Sequence, residues 1–241
     1  MGRIKELGDK EEGGVIAGPV VQVDWDRKVV VRDGTDFPFD PREYWILAPA
    51  ATTWDEECGM VHPLDFGFML HNARIGKGIL PPLATLTDHF TSRSLKVDDA
   101  LLAEELIEKR RVAEFPEKPS RLDSYFLNTH REVAERRAAS WSWQNRKLVR
   151  CHLLTTTGTL HCGLVSNYEA VKANPTSEEL ADLYWEQSPA IVTEDNKHDV
   201  ELLADCGLYF PDWADFDLLD TPSLVAAQSK YRGIWRQLGR Q

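Results

Sequence analysis

The hydrophobic rhythm of the chain changes several times, and each change marks an element. Val15 to Trp25 is β-like, Asp26-Arg27-Lys28 reads as a turn, and Val29 to Arg32 reads as a strand. Asp33-Gly34 follows directly, a dipeptide suited to the positive φ angles of a tight hairpin. Phe37 to Phe39 and Tyr44 to Leu47 add two short β segments, and Ala48 to Asp55 reads as a linker. Phe66 to His71 is a short apolar run read as a strand, and Gly76-Lys77-Gly78 is a turn before Ile79 and Leu80. Pro81-Pro82 stops regular structure. Asp98 is placed to cap a helix whose Leu102, Ala103, Leu106 and Ile107 share one face.

Phe115 to Pro119 is a proline-bounded loop leading into a short strand, Leu122 to Leu127. Alternation sets Leu122, Ser124 and Phe126 on one side and Asp123, Tyr125 and Leu127 on the other. Thr129 and Glu132 have capping-box spacing, followed by an apolar stripe of Val133, Ala134, Ala138 and Trp141. Leu148–Leu154 and Thr159–Val165 flank Thr-Thr-Thr-Gly and read as a hairpin. Thr176 and Glu179 form a second capping box before Leu180, Leu183 and Tyr184. Val200 to Phe210 reads as one or two short strands. Pro222 suits a helix start, with Leu224, Gln228, Tyr231, Trp235 and Leu238 on one stripe.

Composition narrows the class. With 241 residues, 42% of them hydrophobic, the chain is long enough for a sizeable core. A net charge of -11 favours solubility and opposes non-specific nucleic-acid binding over the whole surface. Local basic clusters remain at Lys109-Arg110-Arg111 and at Arg131, Arg136 and Arg137. There is no run of eighteen apolar residues and no apolar secretion core, so no membrane contact and a cytoplasmic location are expected. The four cysteines, Cys58, Cys151, Cys162 and Cys206, are too sparse for a disulfide scaffold.

Cys151-His152 and His161-Cys162 invite a zinc reading. On the expected hairpin, the two cysteines lie on one face and the two histidines on the other, which cannot close a tetrahedral site. No metal is expected. Gly76-Lys77-Gly78 lacks P-loop spacing, and no Gly-x-Ser-x-Gly elbow is present.

Two resemblances carry the rest. The pattern Gly-x-Val, Val-Asp-Trp-Asp and Val-Val-Val-Arg-Asp-Gly at the N-terminal end resembles small SH3-like barrels, although hairpins of this kind also occur as extensions of larger sheets. The run Phe115-Pro116-Glu117-Lys118-Pro119-Ser120-Arg121-Leu122-Asp123-Ser124-Tyr125-Phe126 resembles the signature of an uncharacterised bacterial family grouped with the ADP-ribosyltransferase fold. Ala181-Asp182-Leu183-Tyr184-Trp185 and Val200-Glu201-Leu202-Leu203 look like that family's closing elements, and the resemblance covers roughly residues 60–212. It implies an α+β fold with an ADP-ribosyltransferase-like split β-sheet. The expected organisation is a tail at 1–13, an SH3-like module at 14–50, the transferase-like domain at 58–212 and an amphipathic helix at 213–241.

The resemblance also implies a function, NAD-dependent mono-ADP-ribosyl transfer to a macromolecular acceptor, protein or nucleic acid, in a bacterial toxin, defence or phage system. Breaking the nicotinamide–ribose bond creates an oxocarbenium-like centre that a carboxylate stabilises. By the resemblance, Glu201 is the catalytic carboxylate, His71 (or else His62) contacts NAD, and Tyr125 stacks on nicotinamide. Ser124 is grouped with Tyr125 as an NAD contact, although alternation turns it the other way. Neither histidine sits in the Tyr-His pair common in that fold, which keeps open a non-catalytic interaction protein with a regulatory partner. An NAD glycohydrolase is the other alternative.

Overall fold

A computed structural model of the chain describes residues 20–49, 60–61, 68–83, 93–94, 99–140, 146–155, 158–187 and 192–216. The expected tail at 1–13, His62, Trp141 and the helix expected around Pro222 lie outside the described residues. The strands are β1 (Val21–Asp24), β2 (Val29–Arg32), β3 (Thr35–Pro38), β4 (Tyr44–Pro49), β5 (Met60–Val61), β6 (Ile79–Leu80), β7 (Arg93–Ser94), β8 (Tyr125–Leu127), β9 (Arg146–Leu153), β10 (Leu160–Leu164), β11 (Val200–Ala204) and β12 (Leu208–Tyr209). The helices are α1 (Phe68–Ile75), α2 (Asp99–Glu114), α3 (Arg131–Ser140), α4 (Val165–Ala173) and α5 (Glu178–Glu186), with a 3-10 turn at Trp213–Asp215. The fold is mixed α+β, with several small antiparallel sheets.

Two sheets face each other. One has the order β4-β9-β12-β6 and the other β10-β11-β8. A bridge between Trp45 and Asn128, with reciprocal backbone bonds of 2.8 Å, joins β4 to the end of β8. The space between them is filled from both sides: Tyr44, Ile46, Val149, Cys151, Leu153 and Leu208 on one, Tyr125, Leu127, Leu202 and Ala204 on the other. Helix α1 adds Met69, Leu70 and Ala73 to this core. On the far side of β10-β11-β8, helices α2, α4 and α5 form a second core around Ala103, Ile107, Val171, Ala181, Tyr184, Trp185 and Leu203. The indole of Trp185 donates to the Ile107 carbonyl at 3.0 Å, so its one polar atom is satisfied inside that core.

The N-terminal strands form a three-stranded meander, β1-β2-β3. Asp33 and Gly34 have φ of 50° and 79°, the hairpin geometry their sequence asks for. The expected SH3-like module at 14–50 is corrected by the path of β4. That strand leaves the meander and pairs with β9 over six residues, from Tyr44 opposite Cys151 to Pro49 opposite Arg146. The meander then packs on the outer face of that sheet through Val30, Phe39, Ile79, Leu154 and Tyr209. Three short strands cannot bury both faces alone, so this segment borrows the larger sheet.

Other expectations also change. Phe66 to His71 is not a strand. Residues 68–75 are helical, because Met69, Leu70 and Ala73 fall on one buried helical face, and a short apolar run does not by itself separate the two periods. Leu148–Leu154 and Thr159–Val165 contain strands but do not form a hairpin: β9 pairs with β4 and β12, while β10 pairs with β11. The Thr129–Glu132 capping box does not form. Thr129 Oγ1 contacts His130 Nδ1 at 2.9 Å and Glu132 instead accepts from Lys197 at 2.7 Å. The second box shifts by one residue, with Ser177 Oγ accepting from the Leu180 N–H.

Candidate functional site

The site begins with a loop fastened to a helix. Glu104 and Glu108 stand four residues apart on α2 and so share a face. Arg111 braces Glu108 with bonds of 2.7 to 3.0 Å and also donates to the Lys118 carbonyl at 3.1 Å. Ser120 donates to Glu108 at 3.1 Å and accepts from the Leu122 N–H at 3.1 Å. These bonds fix the loop 115–124, and Arg121 projects from it toward β11.

Arg121 is buried, and every arm of its guanidinium is used. Nε and Nη2 fork onto the two oxygens of Glu104 at 2.9 and 3.0 Å. Nη1 donates to the Tyr184 hydroxyl at 2.6 Å and to Oε1 of Glu201. Three rings surround the planar cation: Tyr168 at 4.4 Å, Phe126 at 4.9 Å and Tyr184 at 5.0 Å from their centroids. Burial opposes the charge, but Glu104 and Glu201 outweigh it and hold the guanidinium well above its usual range.

Glu201 is placed here by the pleat of β11. Val200, Leu202 and Ala204 turn to one side of the strand, where Leu202 and Ala204 join the core between the sheets, and Glu201 turns with Leu203 to the helical side. Its Oε1 also accepts from the Tyr184 hydroxyl at 2.8 Å. Oε2 carries no hydrogen bond among the described residues, and the side chain keeps 11% exposure. Opposite Glu201 in the ladder is Gly163. A β-carbon there would lie 2.5 Å from the Tyr184 hydroxyl oxygen, so glycine is what lets that ring lie across the strand. Burial raises the pKa of Tyr184, and burial with the nearby Glu104 carboxylate raises that of Tyr168. Both phenols are therefore neutral, and Tyr184 donates to Glu201.

His161 lies on the same face, opposite Leu203 in the ladder, 4.9 Å from Trp185 and 5.7 Å from Tyr184 by ring centroids. Burial above all, with Lys118 adding to it, pulls its pKa down to about 4, so it is neutral. Its Nε2 is buried without a hydrogen bond.

Tyr125 and His71 lie elsewhere, and Ser124 makes no hydrogen bond to the cluster. Tyr125 is fully buried, between the two sheets, and donates to the Pro81 carbonyl at 2.7 Å. It pairs with Ala204, on the opposite side of the sheet from Glu201. A ring enclosed there cannot stack on a ligand that Glu201 reaches, and Tyr125 is corrected to a core residue. Ser124 is buried as well, and its Oγ has no hydrogen bond. His71 is buried on α1, which packs against β4, β6 and the 3-10 turn, and burial lowers its pKa. Of the four residues expected at the site, only Glu201 is in this cluster.

Residues 86–205 match a protein family described as "Protein of unknown function (DUF2441)". The matched stretch contains Glu104, Arg121, Tyr168, Tyr184 and Glu201. No curated protein matches the chain. Sequence reasoning missed Arg121, Tyr184, Glu104 and Tyr168 as site residues. The signal was present for two of them: Arg121 lies in the Pro-Ser-Arg-Leu run and Tyr184 in the Tyr-Trp pair.

The remaining candidates are quieter. Among the described residues, no group of three or more His, Cys, Asp or Glu is arranged to hold a metal ion. The expected reason against zinc loses its premise, since Cys151 and Cys162 stand on different sheets. The basic run at 109–111 is paired: Lys109 with Glu178, Arg110 with Asp182, Arg111 with Glu108. No helix among the described residues is long and apolar enough to cross a membrane.

Proposed function

We propose that the chain is an NAD-consuming enzyme of the ADP-ribosyltransferase type, with Glu201 as its catalytic carboxylate. The observation that carries this reading is the state of that carboxylate. One oxygen is fixed by Arg121 and Tyr184, and the other carries no hydrogen bond among the described residues, on a side chain that is buried. A carboxylate held in this way can accept a hydrogen bond from a ribose hydroxyl without first reorganising. As the C–N bond breaks, nicotinamide leaves with the electron pair and becomes neutral, and positive charge develops on the ribose. The acceptor, a protein or nucleic-acid nucleophile or water, then bonds to the anomeric carbon and loses its proton. Phe126, 41% exposed on the same face, and half-buried Tyr168 take the aromatic role expected of Tyr125. The resemblance of the Pro-Ser-Arg-Leu, Tyr-Trp and Val-Glu-Leu-Leu segments supports the reading, since their side chains meet in one cluster.

The test is nicotinamide release from NAD, with and without candidate acceptors. Glu201→Gln is expected to lower turnover on the order of a hundredfold or more while NAD affinity changes little. Release that needs no acceptor points to a glycohydrolase, and release that needs one points to a transferase. A second reading, a non-catalytic interaction protein, draws on the burial of the same cluster: Arg121 joins a loop, two helices and a strand. Folded protein that neither binds NAD nor releases nicotinamide with any acceptor would favour that reading.

A further inference from the structure

The outer face of the β4-β9 pair is not covered along its whole length. The meander takes the end near Phe39 and Leu154. Farther along, Trp45 on β4 stands opposite Arg150 on β9, and Leu148 follows on the same face of β9. An open trough of about 910 Å³ lies over them, lined also by Arg131 and Glu135 from α3 and by Asp212, Asp215 and Phe216 from the segment after β12. Trp45 is half-buried, with the Arg131 guanidinium 5.3 Å from its ring centroid. The trough has an acidic part. Glu43, Asp212 and Asp215 share a single cation there, Arg150, which pairs with Glu43 at 2.9 Å and with Asp212 at 3.0 Å. Asp215 makes no ion pair among the described residues. Arg131 is paired with Glu135 at 2.7 Å, and Lys147 is the remaining cation of the lining.

The described residues end on this lining, at Phe216, whose ring is anchored in the core 5.7 Å from that of Phe210. The sequence continues through a short acidic link, Asp217-Leu218-Leu219-Asp220. Residues 221–241 then carry Lys230, Arg232, Arg236 and Arg240 and no Asp or Glu, in a chain of net charge -11. Helical spacing puts Leu224, Tyr231, Trp235 and Leu238 on one stripe. We propose that residues 221–241 dock in the trough of their own chain, with that stripe on Trp45 and Leu148 and with their cations against Glu43, Asp212 and Asp215. Neighbouring strands lie about 4.8 Å apart, so only a few residues are needed to pass from Phe216 over β9 to β4. Tethering holds the segment at an effective concentration on the order of millimolar, above that of a second copy. Exposed ion pairs contribute little by themselves, so the apolar stripe supplies the affinity and the charges set the direction in which the segment lies.

Hydroxyl-radical footprinting of the full chain, read by mass spectrometry at Trp45 and Trp235, tests this. Trp235→Asp should raise oxidation of Trp45 severalfold. Oxidation of Trp185, fully buried among the helices, should not change and serves as the control for folding. Asp215→Lys, which breaks no ion pair among the described residues, should raise oxidation of both Trp45 and Trp235, by a smaller factor. Equal oxidation of Trp45 in wild-type protein and in folded Trp235→Asp overturns the proposal. Protection of Trp45 that grows with protein concentration, alongside a dimer in sedimentation velocity, also overturns it and assigns the trough to a second copy. So does a Trp235 that is protected only when phosphatidylglycerol vesicles are added, which assigns the segment to an anionic membrane surface. Should Trp235→Asp expose Trp185 as well, that variant has lost its fold and Asp215→Lys decides the matter.

Discussion

The two sides of the β10-β11-β8 sheet are built on opposite principles. Toward β4-β9-β12-β6 the sheet presents Tyr125, Leu127, Leu202 and Ala204, and apolar packing holds that side together. Toward the helices it presents Glu201 beside Leu203, and there two carboxylates, one hydroxyl and three rings meet around Arg121. The change from one side to the other takes a single residue: Glu201 and Leu202 are neighbours in sequence, as are Tyr125 and Phe126. The pleat alone sends them apart. An apolar side tolerates any good packing, while a polar side must find partners for most of what it buries, His161 Nε2 being an exception here.

The largest expected effect is on the polar side. Arg121→Met keeps the apolar stem but leaves Glu104 and Glu201 buried without their cation. Unfolding free energy, measured by denaturant titration, should fall by about 3–5 kcal/mol. A loss below ~1 kcal/mol would mean that the cluster is solvated and that the contrast between the sides is weaker than drawn.

His161 sharpens the contrast through pH. Its folded pKa is lowered to about 4, while the unfolded chain should titrate near ~6.5. Between those values the unfolded state binds the extra proton, so stability is full above the higher value and declines as pH falls toward the lower. The decline attributable to His161 should total about 3 kcal/mol. It should be absent in His161→Phe, when urea unfolding of the two proteins is compared at pH 7.5 and pH 4.5. Parallel curves would place His161 in contact with water.

Gly163→Ala probes the close approach on the same side. The added methyl group must displace Tyr184 from Glu201, at a cost of about 1–3 kcal/mol in unfolding free energy. Nicotinamide release should fall as well if Tyr184 holds the carboxylate in place. The smallest effect belongs to the apolar side. Tyr125→Phe loses one buried bond to the Pro81 carbonyl and should cost about 1 kcal/mol, with NAD affinity unchanged. A marked loss of NAD affinity in folded Tyr125→Phe would break the comparison, because the ligand would then reach the core between the sheets.

Much of this was readable where one local rule was enough. The positive φ demanded by Asp33-Gly34 needs no partner, and the apolar face of α2 at Ala103 and Ile107 follows from its period. The strands around Val200 and Leu208 were also legible, as was the alternation that sets Tyr125 and Phe126 on opposite faces, but not which of the two is buried. Pairing was not legible. Nothing local tells β4 to leave its meander for β9, or sends β9 and β10 to different sheets. Those choices depend on which surfaces become buried when the whole chain collapses. The same holds for the site. Residue order alone dictates that Glu201 and Leu202 face opposite ways, and it puts Arg121 and Tyr184 in segments of shared resemblance. Which side of the sheet the helices cover is settled by the assembled fold. With that, Glu201 meets Arg121 and Tyr184, with Glu104 behind them, rather than Tyr125 and His71, because a buried carboxylate goes where a cation and hydroxyls can satisfy it.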